Sequence, residues 1–110
     1  MTTPLEQLET QIAQLQHELG QLGPMRPGSI SKQYRQPAEQ KQPYYQISYT
    51  HRMRSGTDYV RQAYLPVLRR EVAEFKRFRK KVETLVDCSL RASKLRMARA
   101  GNQAGRQGQT

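Results

Sequence analysis

The stretch QPYYQISYTHRMRSGTDYVRQAYLP, residues 42–66, decides the fold. Apolar and polar side chains alternate through residues 44–52, which is typical of a strand with one buried face. The inward face would carry Tyr45, Ile47 and Tyr49. The outward face would carry Tyr44, Gln46, Ser48, Thr50 and Arg52. The pair Ser55-Gly56 predicts a turn and residues 57–63 a further strand, so the stretch predicts a β-hairpin.

A third strand completes a small sheet. Residues 29–35 (SISKQYR) read as a first short strand, and the polar residues 36–42, which include Pro37, read as a loop. In the last strand Val60 would point inward, while Tyr59 and Arg61 would point outward. The sequence therefore predicts a three-stranded antiparallel meander with one face covered by apolar side chains and the other exposed to water.

A short amphipathic helix is predicted over residues 4–22. Thr3 and Glu6 have capping-box spacing, and Pro4 suits the first helical position. The apolar residues alternate in steps of three and four, which is the spacing of a coiled-coil seam. They are the candidate oligomerisation residues Leu5, Leu8, Ile12, Leu15, Leu19 and Leu22. Because so short a helix is marginal alone, it should dock either on a symmetric partner helix or on the C-terminal helix of its own chain.

A long C-terminal helix is predicted from Pro66 to about Met97, because no glycine or proline interrupts that span. Its apolar stripe comprises Leu68, Val72, Phe75, Phe78, Val82, Leu85, Val86 and Leu90. Residues 100–110 are rich in Gly and Gln and are expected to form a disordered tail. We thus predict an α+β protein with an N-terminal helix (residues 1–24), a sheet-plus-helix body (25–99) and a tail (100–110).

The charge of the chain is large and unevenly distributed. Nineteen Lys and Arg against nine Asp and Glu give a net charge of +10 and a pI of about 10.3, typical of nucleic-acid-binding proteins. Residues 1–24 carry −3 and the remainder +13. A membrane surface is the less favoured partner, because the chain has no Trp and the sheet claims its apolar stripe. No signal peptide or membrane-spanning run is visible, so we expect a cytoplasmic protein.

The outward strand residues are the candidate nucleic-acid contacts. Arg and Gln can bond base edges, while hydroxyl groups can bond phosphate oxygens, and the DNA major groove admits a small sheet. The candidates in and around the strands are Lys32, Arg35, Gln46, Ser48, Thr50, Arg52, Arg54, Tyr59 and Arg61. The candidates on the helix are Arg69, Lys76, Arg77 and Lys80. Single-stranded nucleic acid is an alternative, since aromatic rings stack on bases.

Catalytic chemistry is not favoured. His17 and His51 have no nearby carboxylate pair or cysteine at metal-ligand spacing, and the single cysteine, Cys88, fits a structural position. The sequence has no Gly-rich phosphate loop and no nucleophile elbow. We therefore predict a non-enzymatic protein without metal or cofactor.

Two segments carry a family resemblance: GPMRPGSISKQY (residues 23–34) and PYYQISYT (residues 43–50), followed by a basic turn, Tyr59-Val60 and a long helix. Together they resemble the domain of unknown function 6788 family, small bacterial proteins encoded near transposases and integrases on mobile elements. The resemblance covers roughly residues 5–97. Many members carry a cysteine-rich knuckle between the first two strands; here residues 36–42 contain no cysteine, so no metal ligand is implied.

The order of three strands followed by a helix is also similar to the arm-type DNA-binding domains of tyrosine integrases, which place a sheet in the major groove. This similarity is an analogy of fold. The function we expect is that of a non-catalytic accessory or regulatory DNA-binding protein of a mobile element, acting in transposition or recombination as a homodimer on double-stranded DNA. The alternatives are an adaptor that grips a transposase or another partner through its helices, and an RNA-binding protein.

Overall fold

The computed structural model describes residues 2–108, and side chains as far as residue 101. Its main elements are α1 (Pro4–Gly20), β1 (Ser29–Gln36), β2 (Lys41–His51), β3 (Arg54–Val60) and α2 (Leu65–Gly108). This order confirms the predicted α+β class, with an N-terminal helix, three antiparallel strands and a long C-terminal helix. No helix in this part of the chain has the length and hydropathy needed to cross a bilayer.

The strands form one antiparallel sheet in the order β1-β2-β3. Ile30 lies opposite Ile47, and Tyr45 lies opposite Val60, so these four residues share a face. The apolar residues at the start of α2 cover this face, which we call the covered face. Because side chains alternate along each strand, the pairing also fixes which residues lie on the opposite, outer face.

The core of the sheet is small and well defined. Ile47, Val60, Leu65, Leu68 and Val72 form a buried cluster, against which Ile30 and Tyr45 pack. Gly28 allows the chain to approach this cluster closely, because its φ is +140° and a Cβ there would lie 2.7 Å from the Ile47 side chain. A glycine is needed here both for the backbone angle and for the space.

The hairpin turn lies at Arg52 and Met53, so the predicted turn at Ser55-Gly56 is wrong. His51 pairs with Arg54, and the two residues between them have φ values of 52° and 65°. Positive φ at both positions is what a two-residue type I′ turn requires. Gly56 lies within β3 opposite Tyr49, where a Cβ would come within 2.7 Å of the ring, so it makes room for that tyrosine.

Other element boundaries also differ from the prediction. The loop expected over residues 36–42 is shorter in the structure: it consists mainly of a 3₁₀ turn, Pro37–Glu39, and β2 begins at Lys41. The last strand ends at Val60 rather than at residue 63, because Gln62–Tyr64 form another 3₁₀ turn. Residues 100–110 were expected to form a disordered tail. Helix α2 instead continues through Gly108, since no proline interrupts it. Residues 109–110 lie outside the described part of the chain.

The chain divides into two compact units, and α2 contributes to both. The sheet unit is Leu22–Phe78, and the helical unit combines α1 with α2 from Arg79 onward. In the sheet unit, the Arg26 amide donates to the Glu71 carbonyl at 3.0 Å, and the Gly23 amide donates to the Glu74 carboxylate at 3.1 Å. These bonds tie the segment before β1 to the start of α2.

The helical unit is formed by two helices of the same chain. Thr3 and Glu6 form the predicted capping box at the start of α1, and the Lys81 ammonium donates to Glu18 at 3.0 Å. Leu15 is buried, whereas the other five residues of the predicted seam are half-buried. Helix α1 therefore docks on α2 of its own chain, one of the two alternatives that the sequence left open. Oligomerisation through this seam stays a prediction.

Candidate nucleic-acid interface

The outer face of the sheet is a continuous polar surface that three strands build together. Alternation and register bring hydroxyl, amide and guanidinium side chains onto it. Strand β1 contributes Ser29, Ser31, Gln33 and Arg35, β2 contributes Tyr44, Gln46, Ser48 and Thr50, and β3 contributes Ser55, Thr57 and Tyr59. None of these side chains is a carboxylate, so nothing in this set would repel a polyanion.

The acidic groups of the sheet unit are already engaged elsewhere. Asp58 is the only carboxylate in the three strands; it lies on the covered face and pairs with Arg26. Glu39 pairs with Lys41 at 3.4 Å, and Glu74 pairs with Arg77 at 3.3 Å. Eleven Lys and Arg against these acids and Glu71 leave the unit with a net charge of +7.

The fourth acid, Glu71, accepts a hydrogen bond from the Tyr64 hydroxyl at 2.9 Å. This hydrogen bond, together with desolvation and the negative charge of Glu71, raises the pKa of Tyr64 above its ordinary value. Glu71 is therefore engaged within the sheet unit, like the other three acids.

Cross-strand hydroxyl pairs organise the middle of the outer face. Thr50 and Ser55 lie 2.9 Å apart, and Ser48 and Thr57 lie 3.4 Å apart. Such pairs fix side-chain rotamers on neighbouring strands while leaving the hydroxyl groups exposed. Their remaining donor and acceptor capacity can serve phosphate oxygens or base edges.

Two tyrosines form an aromatic cluster on the same face. The rings of Tyr44 and Tyr59 stack with centroids 6.4 Å apart and an interplanar angle of 30°. The Arg35 guanidinium lies over the Tyr44 ring, 5.7 Å from its centroid. Tyr59 is 64% exposed. The cluster thus offers an exposed ring with a cation beside it, a combination that can stack on a base.

Arginines border the outer face. Arg52 lies in the hairpin turn, Arg54 begins β3 beside it, and Arg61 follows β3. All three side chains are exposed, and none takes part in an ion pair within the described part of the chain. A ligand that lies across the outer face would therefore meet positive charge at its margins.

The structure brings together most of the predicted strand contacts. Arg35, Gln46, Ser48, Thr50 and Tyr59 share the outer face, with Arg52 and Arg61 at its margins. The prediction that Lys32 belongs to the same surface is wrong. Lys32 lies opposite Tyr45 on the covered side of the sheet, and its ammonium is 5.5 Å from the Tyr34 ring. Alternation places Arg54 on the covered side as well, but Arg54 lies at the hairpin tip and its side chain is exposed.

The predicted helix contacts within the sheet unit do not join the outer face. Arg69 lies 6.0 Å from the ring of Tyr45, which is on the covered face, and Lys76 lines a groove beside residues 28–30. Arg77 is paired with Glu74. Lys80 belongs to the helical unit, where its carbonyl accepts a bond from Thr84.

Sequence reasoning omitted several residues of the outer face. The alternation puts Tyr44 on the correct face, but Tyr44 is not among the predicted contacts, whereas its stacking partner Tyr59 is. Ser31 and Gln33 lie opposite Gln46 and Tyr44, respectively. Counting back from Arg35 in steps of two residues could have identified both. The remaining omissions are Ser29, Ser55 and Thr57. Only the omission of Ser55 follows from the misplaced turn, since the predicted strand over residues 57–63 already puts Thr57 on the outward side.

Comparison with known proteins adds no further constraint, because no family model, no curated protein and no solved structure matches this chain.

Proposed function

We propose that this protein binds nucleic acid through the outer face of its sheet, with the DNA major groove as the preferred site. The observation that carries the proposal is the composition of that face, which combines hydroxyl, amide and guanidinium groups with no carboxylate. Asp and Glu are uncommon in strands in general, so the absence of carboxylates supports the proposal together with the exposed arginines at the margins of the face. The role is a non-catalytic one.

The dimensions of the sheet suit the groove. Neighbouring strands lie about 4.8 Å apart, so the two edge strands are separated by about 10 Å. The major groove is about 12 Å wide and accepts small β-structures as well as helices. Gln46 lies on the central strand, where side chains would meet base edges, and amide groups are suited to adenine.

The arginines at the margins are suited to phosphates. Each phosphate neutralised by Lys or Arg releases counterions, so the logarithm of the affinity falls with the logarithm of the salt concentration. Contacts from Arg35, Arg52, Arg54 and Arg61 predict a slope of about −3 to −4 on duplex DNA. The affinity would then be strongly salt dependent and only weakly dependent on sequence.

The decisive experiment is a fluorescence-anisotropy titration of labelled duplex DNA at several salt concentrations. Arg35→Gln and Arg61→Gln should each weaken binding and lower the salt slope by about 1. Arg70→Gln is the matched control, because Arg70 is exposed and lies on the side of α2 opposite the buried Leu68. The proposal fails if the outer-face variants bind as tightly as the Arg70 control, or if the unmodified protein binds no nucleic acid at low salt.

A second candidate function is binding of single-stranded DNA or RNA, which the stacked Tyr44–Tyr59 pair favours. Stacking of a base on an aromatic side chain contributes about 1–3 kcal/mol, so Tyr59→Ala should weaken binding of unpaired strands by about fivefold or more. Tyr59→Phe keeps the ring and should keep that affinity. If the groove proposal is correct, duplex DNA will outcompete a single strand of the same length, and the ring will matter less than the arginines.

The setting we propose is that of an accessory or regulatory protein in transposition or recombination. This part of the proposal rests on the sequence resemblance alone. Genes for a transposase or integrase beside the gene would support it, and their consistent absence from such neighbourhoods would oppose it.

A further inference from the structure

Large apolar side chains are exposed along the second part of α2. Val86, Leu90 and Met97 are 58%, 54% and 71% exposed, respectively. They recur in steps of four and seven residues, so they share one side of the helix. With Ser93 between them they form a narrow band, which we call the α2 stripe. Burial of three such side chains would be favourable, and the residues of the helical unit leave them open to water.

The α2 stripe is separate from the surface that packs on α1. The buried residues of α2 in this unit are Cys88 and Ala92. At about 100° per residue, both lie on roughly the opposite side of the helix from Leu90 and its neighbours. The α1 docking surface and the α2 stripe are therefore distinct, and an occupant of the stripe need not displace α1.

The spacing around the stripe is that of a coiled coil. Alternating steps of three and four residues connect Glu83, Val86, Leu90, Ser93, Met97 and Ala100. This pattern marks the a and d positions of a helix that pairs with another helix, over a length of about 26 Å. The helix needs no partner to form, because α1 already packs along it.

The charges beside the seam select both the partner and its direction. Asp87 and Lys94 lie on the same flank, seven residues apart, with the negative charge toward the N-terminal end. In an antiparallel pair, Asp87 faces Lys94 of a second copy, and the symmetry makes this contact twice. Glu83 then faces Ala100. A parallel pair would instead place Glu83 against Glu83 in the seam, where like charges repel.

We propose that the α2 stripe binds a second copy of this chain, with the two helices antiparallel. The seam is self-complementary, since Val86 of one copy meets Met97 of the other and Leu90 meets Ser93, as a twofold interface requires. The seam contributes only three large apolar side chains from each copy, so the dimer should dissociate on dilution. This proposed surface is distinct from the α1 seam, for which oligomerisation stays a prediction.

Sedimentation velocity on the full chain, at protein concentrations from about 5 to 500 µM, tests the proposal. The protein is first treated with nuclease, so that bound nucleic acid cannot bridge two copies. The unmodified chain should shift from monomer toward dimer, and Leu90→Glu should raise the dissociation constant at least tenfold. Ala73→Glu adds the same charge at an exposed position of α2 ten residues before the seam and should leave the dimer intact. A monomer throughout, or a dimer that Leu90→Glu leaves unchanged, would overturn the proposal.

Charge reversal tests the direction of the helices. Asp87→Lys and Lys94→Asp should each weaken the dimer several-fold, and the double variant should recover most of the loss. A parallel pair, or an occupant other than a second copy, predicts no such recovery. Circular dichroism checks that each variant keeps its helix content. Because the measurement contains no nucleic acid, its outcome is independent of the function proposed above.

Discussion

The sheet unit and the helical unit solve the problem of stability in different ways. The sheet unit gathers Ile47, Val60 and the first turns of α2 into one buried cluster, so segments distant in sequence depend on one another. The helical unit buries only Leu15, Cys88 and Ala92 among its described residues, and two of these are small. It depends more on local features, namely the capping box of α1 and the ion pair between Glu18 and Lys81.

The two units also differ in the surface they leave to the solvent. The sheet unit exposes positive charge on a face without carboxylates, whereas the helical unit, with eight Lys and Arg and five Asp and Glu, exposes apolar side chains beside charges of both signs. A surface of the first kind suits a polyanion, and one of the second kind suits another helix. Binding and self-association should therefore be separable by mutation.

The largest effect we expect comes from the sheet unit. Leu68 is 1% exposed and lies at the centre of the buried cluster, so Leu68→Ala should lower the free energy of unfolding by about 3–5 kcal/mol. Urea denaturation monitored by tyrosine fluorescence measures this loss. Hydrogen exchange should then speed up in all three strands together. Acceleration confined to one strand would mean that the sheet does not unfold as a unit.

The corresponding change in the helical unit should cost less and act more locally. Leu15→Ala removes the largest buried side chain of that unit, and we expect a loss of about 2 kcal/mol because its buried neighbours are few and small. Hydrogen exchange should accelerate in α1 and leave the strands protected. Equal acceleration in both regions would show that the two units unfold together, and the contrast drawn above would disappear.

A change in the hairpin turn should have the opposite sign. Met53 is 99% exposed with φ +65°, a conformation that costs a residue with a side chain about 1 kcal/mol and costs glycine little. Met53→Gly should therefore raise the free energy of unfolding by up to about 1 kcal/mol. If Met53 contacts the ligand, the same variant will bind nucleic acid more weakly despite its greater stability. Met53→Ala, which keeps the strained angle, is the control for that loss.

The turn also shows where sequence reasoning succeeds and where it fails. The alternation of Tyr45, Ile47 and Tyr49 predicts the central strand, because a buried face imposes a period of two. The glycine at position 56 suggested a turn, but its role is to accommodate the Tyr49 ring across the sheet. Local preference cannot reveal a cross-strand contact, whereas it predicts turn residues such as Asn-Gly, which are missing at Arg52-Met53.

The candidate site was predicted to the extent that it depends on alternation. Gln46, Ser48 and Thr50 follow from the pattern of one strand. Lys32 was misassigned because alternation was not applied to β1: Lys32 lies two residues after Ile30, so it shares the covered face with it, opposite Tyr45. The difference between the α1 seam and the α2 stripe was likewise hidden, since both have coiled-coil spacing and only the packing of the chain decides which one is covered.

The smallest effect we expect is on the pH dependence of the helical unit. The hydrogen bond from Lys81, supported by one from Gln14, lowers the pKa of Glu18 below its ordinary value. A carboxylate whose pKa is lower in the folded state stabilises that state above its unfolded pKa, and this contribution is lost as the pH falls through the folded value. The contribution should therefore be complete at neutral pH and should decline below about pH 4.

Glu18→Gln removes the titrating group but keeps an acceptor for Lys81. Its melting temperature should lie slightly below that of the unmodified protein at pH 7, and the two should converge as the pH is lowered toward 3. Because Glu18 is partly exposed, salt should also reduce the difference at pH 7. Glu9→Gln is the matched control, since Glu9 is an exposed acid of α1 that takes part in no ion pair of the described chain. If the difference in melting temperature between Glu18→Gln and the unmodified protein stayed constant from pH 7 to pH 3, the ion pair would not be its cause. Helix propensity would then explain the difference.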